Sequence, residues 1–269
     1  MTTLELRDVV KEYPLRNGLR HSTLRAVDQV SFTLAPGRTM ALVGQSGSGK
    51  STIAKLLLQL ERPTSGQILL DGTDLRARGA AARAYRGAVQ MVFQDPFASL
   101  NPYHTVAHHL SRPVRLHHPL LNRVQVLDRV HELLSRVRLD PPEEFARRRP
   151  HELSGGQRQR VAIARALAPE PGILIADEPV SMLDVSIRLG VLNLLGQLQR
   201  EENLGVLYIT HDLATARHFS DEIMVMYRGS IVERGPADDV ILDPQHEYTK
   251  LLRAAAPDPE RRLRELAES

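Results

Sequence analysis

Two short stretches rich in glycine and serine have the composition of anion-binding turns. Residues 44–51 read G-Q-S-G-S-G-K-S, residues 153–157 read L-S-G-G-Q, and each runs into a helical pattern. The first turn of a helix has backbone N–H groups without intrahelical partners and carries the positive end of the helix dipole. Both stretches can therefore bind a phosphate or another anion. Because the chain has only one set of acidic residues suited to catalysis, the second stretch needs its own explanation.

The first stretch matches the P-loop pattern G-x-x-x-x-G-K-[S/T], and it has the required context of an apolar run before it, at residues 39–43, and a helical pattern after it. Its glycines let the backbone wrap around phosphate, Lys50 reaches the β and γ phosphates, and Ser51 can ligate Mg²⁺. The pattern therefore predicts a nucleotide site. We assign to it Gly44, Gln45, Ser46, Gly47, Ser48, Gly49, Lys50, Ser51 and Thr52.

Two carboxylates directly follow another apolar run, residues 173–176, and these are Asp177 and Glu178. A carboxylate in this position beside a P-loop holds Mg²⁺ directly or through water, which is the role we expect for Asp177. Glu178 is then the natural general base for the attacking water. On its own, an Asp-Glu pair before Pro179 is more typical of a helix cap. The P-loop favours the catalytic interpretation.

Gln94 and His211 lie just beyond two more apolar runs, residues 89–93 and 206–209. Such runs are typical of buried parallel strands, and ligands bind beyond the carboxyl ends of parallel strands. We therefore expect all these endpoints to converge on one site. There Gln94 would contact Mg²⁺ or the attacking water, and His211 would bind the γ-phosphate and hold the water and Glu178 in line.

Strand-like runs alternate with helical patterns along most of the chain, which predicts an α/β fold with a mostly parallel core sheet. Prolines break this rhythm, and we predict an inserted α-helical subdomain at about residues 97–160. Residues 4–10 and 26–32 alternate like half-exposed strands and predict an N-terminal antiparallel sheet. We assign residues 1–235 to one nucleotide-binding domain and residues 236–269 to a C-terminal extension.

The composition argues against several classes of function. The 269 residues include no cysteine, which excludes disulfides, thiol catalysis and cysteine-bound centres such as iron–sulfur clusters. A net charge of +3 is too small to indicate a nucleic-acid partner. The chain has no signal-peptide pattern and no apolar run long enough to span a membrane, so we expect a cytosolic protein that meets a membrane only through a partner. We interpret the histidine pairs at 108–109 and 117–118 as surface residues.

In their order along the chain, these motifs resemble those of the ATP-binding-cassette (ABC) ATPases. The resemblance spans nearly the whole chain, and L-S-G-G-Q is this family's own signature. It implies a P-loop NTPase fold of the ABC type that binds ATP, with Tyr13 stacked on adenine, Gln94 in the loop that faces the transporter subunit, and His211 as the switch histidine. It also implies that two cassettes pack head to tail, so that the signature of one completes the ATP site of the other. The residues implied to act across this dimer are Ser154, Gly155, Gly156, Gln157 and Asp184.

Two further stretches resemble the peptide/nickel importer group of this family. Residues 94–102 read Q-D-P-F-A-S-L-N-P, and residues 244–252 read P-Q-H-E-Y-T-K-L-L. The resemblance implies an ATP-hydrolysing subunit that drives import of oligopeptides or dipeptides from the cytoplasmic face of the cell membrane. Its implied partners are a second ABC ATPase, which is a copy or a relative, two transmembrane permease subunits and, indirectly, a solute-binding protein.

The same resemblance leaves alternatives open. Many members of the group carry a cysteine-bound iron–sulfur cluster near the C-terminus, which a chain without cysteine cannot have. Met182 stands where alanine is commoner in the group, so an oligosaccharide or nickel importer is an alternative. A soluble ABC ATPase acting on DNA or the ribosome, or an exporter ATPase, fits the sequence less well, because the chain has neither a second cassette nor a long coiled-coil insertion and it carries the stretch at residues 244–252.

Overall fold

The computed structural model describes residues 2–17, 20–74 and 80–255, and the charged end of the predicted extension lies outside these ranges. The strands are β1 (Leu4–Asn17), β2 (Arg20–Leu34), β3 (Thr39–Val43), β4 (Ser65–Leu70), β5 (Thr73–Asp74), β6 (Val89–Val92), β7 (Ile173–Asp177), β8 (Gly205–Thr210), β9 (Glu222–Tyr227) and β10 (Ser230–Pro236). The helices are α1 (Lys50–Leu57), α2 (Ala80–Ala88), α3 (Pro96–Ser99), α4 (Val106–His117), α5 (Arg123–Arg136), α6 (Pro142–Arg147), α7 (Gly155–Leu167), α8 (Val185–Glu201), α9 (Leu213–Phe219), α10 (Ala237–Leu242) and α11 (Glu247–Ala255).

The first sheet is antiparallel, with the strand order β2-β1-β4-β5, and confirms the predicted N-terminal antiparallel sheet. Its first two strands are longer than the alternating segments at residues 4–10 and 26–32, because they pair from Leu4 opposite Leu34 to Asn17 opposite Arg20. Backbone hydrogen bonds of the ladder do not depend on side-chain type. The polar ends of the two strands therefore pair although their sequence shows no apolar alternation.

The second sheet has the order β10-β9-β3-β8-β7-β6, in which β9, β3, β8, β7 and β6 run parallel and β10 is an antiparallel edge strand. It confirms the predicted α/β fold with a mostly parallel core. Successive residues of its strands belong to different cores: Leu42 packs towards the antiparallel sheet, whereas Val43 packs among the helices of the other side. Both faces are buried, and this explains why the strands read as continuous apolar runs.

Helices α3 to α7 lie between β6 and β7 in the chain, and α4 and α5 pack against each other there. Helix α5 begins at a capping box between Asn122 and Gln125 and buries Val126, Val130 and Leu133 on one face. This spacing of three or four residues is that of an amphipathic helix, whose apolar stripe faces the core. Within the described ranges, no helix combines the length and apolarity that crossing a membrane requires.

Candidate nucleotide-binding and catalytic site

The predicted P-loop connects the fully buried strand β3 to helix α1, which begins at Lys50. Gly47 and Gly49 have φ angles of 80° and 115°, in the left-handed region that favours glycine. At Gly49 a side chain would also collide with the main chain, because a Cβ atom would lie 2.3 Å from the carbonyl oxygen of Ala26. At Gly47 a Cβ atom would meet nothing within 4 Å. The loop is therefore closely packed against the main chain at Gly49, whereas there is free space beside it at Gly47.

The Lys50 ammonium folds back on this loop. Its Nζ donates hydrogen bonds to the carbonyl oxygens of Gly44, at 2.5 Å, and Gln45, at 2.9 Å, and the side chain is only 7% exposed. Burial lowers the pKa of Lys50, while the negative charges of Glu178 and Asp177 act in the opposite direction. The buried Lys50 ammonium thus lies close enough to Glu178 and Asp177 to interact electrostatically with both carboxylates.

Glu178 lies between the two polar side chains that follow the neighbouring strands. Gln94 Nε2 donates a hydrogen bond of 3.0 Å to Glu178 Oε2, and His211 Nδ1 lies 2.9 Å from Glu178 Oε1. The strand order explains this, since Gln94, Glu178 and His211 follow β6, β7 and β8, which are adjacent in the sheet. The structure therefore brings these three side chains together at one edge of the sheet, as expected.

The backbone of Glu178 adopts a conformation that is rare for a residue with a side chain, with φ at 44°. Its N–H still donates to the carbonyl oxygen of Ile209, at 2.8 Å, so the residue remains tied to strand β8. Strained backbone of this kind persists where the surrounding structure imposes it, often at functional sites. Here it accompanies a carboxylate side chain that is 19% exposed, beside a His211 side chain that is 61% exposed.

Asp177 ends strand β7 and is paired with Ile209 of β8. Burial, together with the adjacent charge of Glu178, raises the pKa of Asp177 to about 6, although the Lys50 ammonium lowers it in part. The side chain is therefore a carboxylate held in an environment that disfavours its charge. A cation placed beside it would relieve this penalty.

The side chains predicted to hold Mg²⁺ are the Ser51 hydroxyl, the Gln94 amide and the Asp177 carboxylate. All three offer the hard oxygen ligands that Mg²⁺ prefers, and the raised pKa of Asp177 means that a bound cation would stabilise its charged form. Ser51 lies in the first turn of α1 and is exposed. Among the described residues, no group of three or more His, Cys, Asp or Glu side chains could hold a metal on its own.

The second glycine-rich stretch begins helix α7 on a different part of the chain. Ser154 is the N-cap, and its hydroxyl accepts a hydrogen bond from the Gln157 N–H, while the Gln157 side chain accepts one from the Ser154 N–H. Ser154 is exposed, whereas Gly156 packs so closely that a Cβ atom there would lie 2.6 Å from the Ile187 side chain of α8. In the described parts of the chain, no hydrogen bond or ion pair joins this stretch to residues 44–51. It therefore begins a capped helix whose N-cap residue, Ser154, faces solvent.

The two remaining predicted residues are Asp184 and Tyr13. Asp184 is the N-cap of α8, is exposed and makes no side-chain capping bond. The Tyr13 hydroxyl donates to Glu61, and its neighbours include the Thr52 side chain, so the tyrosine lies beside helix α1. Burial and the Glu61 hydrogen bond raise the pKa of Tyr13. Within the described ranges, neither residue is hydrogen-bonded to Asp177 or Glu178.

One contact at the P-loop was not predicted from the sequence. The hydroxyl of Tyr248, in α11, accepts a hydrogen bond of 3.0 Å from the Gln45 N–H. Residues 244–252 carried a family resemblance but no pattern that points to the P-loop. The contact joins residues 203 positions apart, and no local sequence signal could have found it.

The mostly parallel sheet, with a P-loop after β3 and two adjacent carboxylates at the end of β7, defines the P-loop class of nucleotide-binding folds. Residues 27–181, more than half of the chain, match the family model described as ABC transporter, and the chain belongs to this family.

Three similar proteins are named as ATP-binding proteins of import or transport systems. The chain is 48% identical over 268 residues to the glutathione import ATP-binding protein GsiA of Pectobacterium atrosepticum, and this match covers 97% of the chain but only 42% of that protein. It is 47% identical to the oligopeptide transport ATP-binding protein AppF of Bacillus subtilis, with 95% of the chain and 78% of AppF covered. It is 46% identical to the oligopeptide transport ATP-binding protein OppF of Salmonella typhimurium, with 96% and 78% covered.

Solved structures share the fold. A dimeric ATP-binding cassette in a post-hydrolysis state with ADP and Pi matches with a TM-score of 0.75 and 30% identity, over 87% of this chain and 98% of that one. The structure of cbiO1 from Clostridium perfringens, part of the ABC transporter complex cbiONQ, matches with a TM-score of 0.78 and 26% identity, over 99% and 98% of the two chains. These matches confirm the predicted P-loop fold of the ABC type.

Proposed function

We propose that the chain is the ATP-hydrolysing subunit of an ABC importer, in which ATP binding closes a pair of cassettes and hydrolysis reopens it. One observation carries the proposal: Glu178 is held between Gln94 and His211 at the sheet edge that also bears the P-loop. A carboxylate fixed by two hydrogen bonds and partly shielded from solvent is well placed to act as a general base.

In the proposed reaction, water attacks the γ-phosphorus of ATP while the bond to the β–γ bridging oxygen breaks, which yields ADP and inorganic phosphate. Glu178 accepts the proton that the water loses, and His211 holds Glu178 in place and donates to a γ-phosphate oxygen. Lys50 stabilises the negative charge on the β and γ phosphates. Positioning and charge stabilisation are the principal means by which proteins catalyse phosphoryl transfer.

Ser51, Gln94 and Asp177 would hold Mg²⁺, directly or through water. When bound, the cation neutralises charge on the phosphate oxygens. The raised pKa of Asp177 supports this assignment, because burying a carboxylate without a strong cationic partner is unfavourable. Tyr13 would stack on adenine, and its position beside Thr52 at the P-loop helix is consistent with that role.

The signature residues Ser154, Gly155, Gly156 and Gln157 would act on the ATP of a second cassette, with Asp184 beside them. The N-terminus of α7, where Ser154 is exposed, would offer backbone N–H groups to a phosphate of that ATP. Gly156 packs against Ile187 in the first turn of α8, so the signature and the helix capped by Asp184 form one continuous surface. The dimeric state of a cassette with this fold supports the same arrangement.

A permease subunit would dock in a groove of about 1230 Å³ that lies between the core sheet and the inserted helices. Three large apolar side chains in its lining are exposed to solvent: Leu60 at 68%, Phe93 at 44% and Leu116 at 75%. Exposed apolar clusters of this kind are typical of protein interaction sites. Gln94 also lines the groove, and a docked permease would therefore contact a residue of the catalytic site.

The transported solute is proposed to be an oligopeptide or dipeptide, because relatives at 46–47% identity are named as oligopeptide transport proteins and glutathione, named for another, is itself a small peptide. An oligosaccharide or nickel system is the alternative.

With two permeases and a second ATPase as partners, the chain would work at the cytoplasmic face of the cell membrane. Residues 1–235 would form the nucleotide-binding domain, with the helical insertion at about residues 97–160, and residues 236–269 a C-terminal extension.

The catalytic assignment is tested by Glu178→Gln in the assembled transporter. We expect ATP binding to be retained and hydrolysis to fall by about 100-fold or more. With the variant chain purified alone, we expect ATP to trap a closed dimer that is visible by size-exclusion chromatography. Glu144→Gln, at a carboxylate that is 65% exposed on α6, is the matched control and should leave hydrolysis unchanged. Undiminished hydrolysis in Glu178→Gln would remove this residue as the base.

The transport assignment needs a separate experiment. The chain is purified with the membrane proteins that accompany it, and ATP hydrolysis is measured with and without a solute-binding protein loaded with a peptide. Stimulation by the loaded protein is expected for a peptide importer. If hydrolysis shows no response to the loaded binding protein, the importer assignment fails. If a binding protein loaded with an oligosaccharide or nickel stimulates hydrolysis instead, the importer assignment stands and only the proposed solute changes.

A further inference from the structure

We propose that Tyr248, in the C-terminal helix α11, is a positioning residue of the nucleotide site that holds the first peptide unit of the P-loop in the orientation that Lys50 needs. The inference rests on the nucleotide binding proposed above. It starts from a single peptide unit, formed by the carbonyl group of Gly44 and the N–H of Gln45. This unit is hydrogen-bonded on both sides.

On one side, the Gly44 carbonyl oxygen accepts a hydrogen bond from Lys50 Nζ at 2.5 Å. On the other side, the Gln45 N–H donates to the Tyr248 hydroxyl at 3.0 Å. The C=O and N–H of a trans peptide point in opposite directions from one rigid plane. The ammonium and the hydroxyl therefore fix the same plane from opposite sides, and a rotation of the plane that released one bond would release the other.

The tyrosine is itself firmly placed. Its side chain is 7% exposed, and its ring stacks on Tyr227 of β9 with centroids 4.1 Å apart and an interplanar angle of 29°. Strand β9 also contacts the start of the loop, since a Cβ atom on Gly44 would lie 2.3 Å from the carbonyl oxygen of Met226. The strand that supports the tyrosine ring is thus the strand against which the P-loop begins.

The turn before α11 is anchored to the core sheet as well. The Glu233 carboxylate, on β10, accepts hydrogen bonds from the N–H groups of Gln245, at 2.7 Å, and His246, at 3.1 Å. The Tyr248 N–H in turn donates to His246 Nδ1 at 3.1 Å. The hydroxyl that meets the P-loop is therefore carried by a segment with little freedom to move, as a positioning residue requires.

The test uses the full chain and Tyr248→Phe, which keeps the stacked ring and removes only the hydroxyl. Loss of one hydrogen bond of this kind should raise the Kd for a fluorescent ATP analogue about fivefold. It should also speed amide hydrogen exchange in a peptide that contains residues 44–50, while exchange elsewhere stays as in wild type. Tyr227→Phe, which retains the same stack, is the matched control and should change neither measurement.

Each other result overturns the inference. If Tyr248→Phe leaves both the Kd and P-loop exchange within about twofold of wild type, the hydroxyl does not position the loop. If exchange rises over the whole chain and the thermal midpoint falls, the tyrosine has only a general structural role. Failure of the wild-type chain to bind the ATP analogue would instead refute the proposed nucleotide site.

Discussion

Asp177→Asn should stabilise the nucleotide-free protein, although it removes a carboxylate that is predicted to hold Mg²⁺. Burial and the charge of Glu178 raise the pKa of Asp177 from 3.8 to about 6. Each unit of pKa shift corresponds to about 1.36 kcal/mol between the two protonation states. The charged carboxylate therefore lowers the free energy of unfolding by up to about 3 kcal/mol at pH 8, and an uncharged asparagine of similar shape would remove this penalty.

The stabilising effect of Asp177→Asn depends on pH. The folded protein holds the Asp177 proton more tightly than the unfolded chain, so between pH 3.8 and about 6 the folded state binds more protons and stability falls as the pH rises. The full penalty is present above pH 6 and is about half as large at pH 5. The stabilising effect of Asp177→Asn should decline in the same way as the pH is lowered, and it should vanish below pH 3.8.

Urea unfolding of wild type and Asp177→Asn at pH 5 and pH 8, without nucleotide or Mg²⁺, measures the difference. At pH 8 the variant should gain up to about 3 kcal/mol, or roughly 6–12 °C in thermal midpoint for a chain of this size. Asp128→Asn, an exposed position on α5, controls for the change of residue type. A variant that is no more stable than wild type at pH 8, or equally stabilised at both pH values, would refute the reasoning.

Two further variants test the P-loop. Lys50→Ala should weaken ATP binding by at least about tenfold, because it deletes a buried charge that faces the phosphates, and fluorescence titration would show this; retained affinity would count against the P-loop assignment. Gly49→Ala should lower the free energy of unfolding by roughly 2 kcal/mol or more, since its Cβ atom would lie 2.3 Å from a carbonyl oxygen and its φ angle is 115°. Gly47→Ala meets no atom within 4 Å and should cost clearly less in urea unfolding, so equal losses in the two variants would contradict the steric argument.

The parts of the site that the sequence predicts are those with a local cause. The P-loop and Glu178 each follow an apolar run typical of a buried strand, and the ends of parallel strands meet at one edge of the sheet. That rule is enough to bring Gln94, Glu178 and His211 together. It does not guarantee that Glu178 lies in the middle, because strands that follow one another in the chain need not be neighbours in a sheet. Here β6, β7 and β8 are adjacent, whereas β3 lies between β8 and β9.

Two other features leave no recognisable pattern in the sequence. The Tyr248 hydroxyl reaches Gln45 only because α11 packs beside the end of β9, and nothing in residues 244–252 indicates which surface they cover. The polar ends of β1 and β2 pair through backbone groups, which leave no trace in side-chain periodicity. In the first case the partner lies far along the chain, and in the second the bonds are made by backbone groups that every residue has.

Gln94 belongs to two neighbourhoods at once: its side chain donates to Glu178 at 3.0 Å, and it lines the groove beneath the inserted helices. A partner that contacts Gln94 in that groove is one hydrogen bond away from the Glu178 carboxylate. Since a hydrogen bond is lost beyond about 3.5 Å, a shift of Gln94 by roughly half an ångström to one ångström is enough to break it. A signal between docking and chemistry therefore needs no relay of helices through the protein, and its whole path is the length of a glutamine side chain.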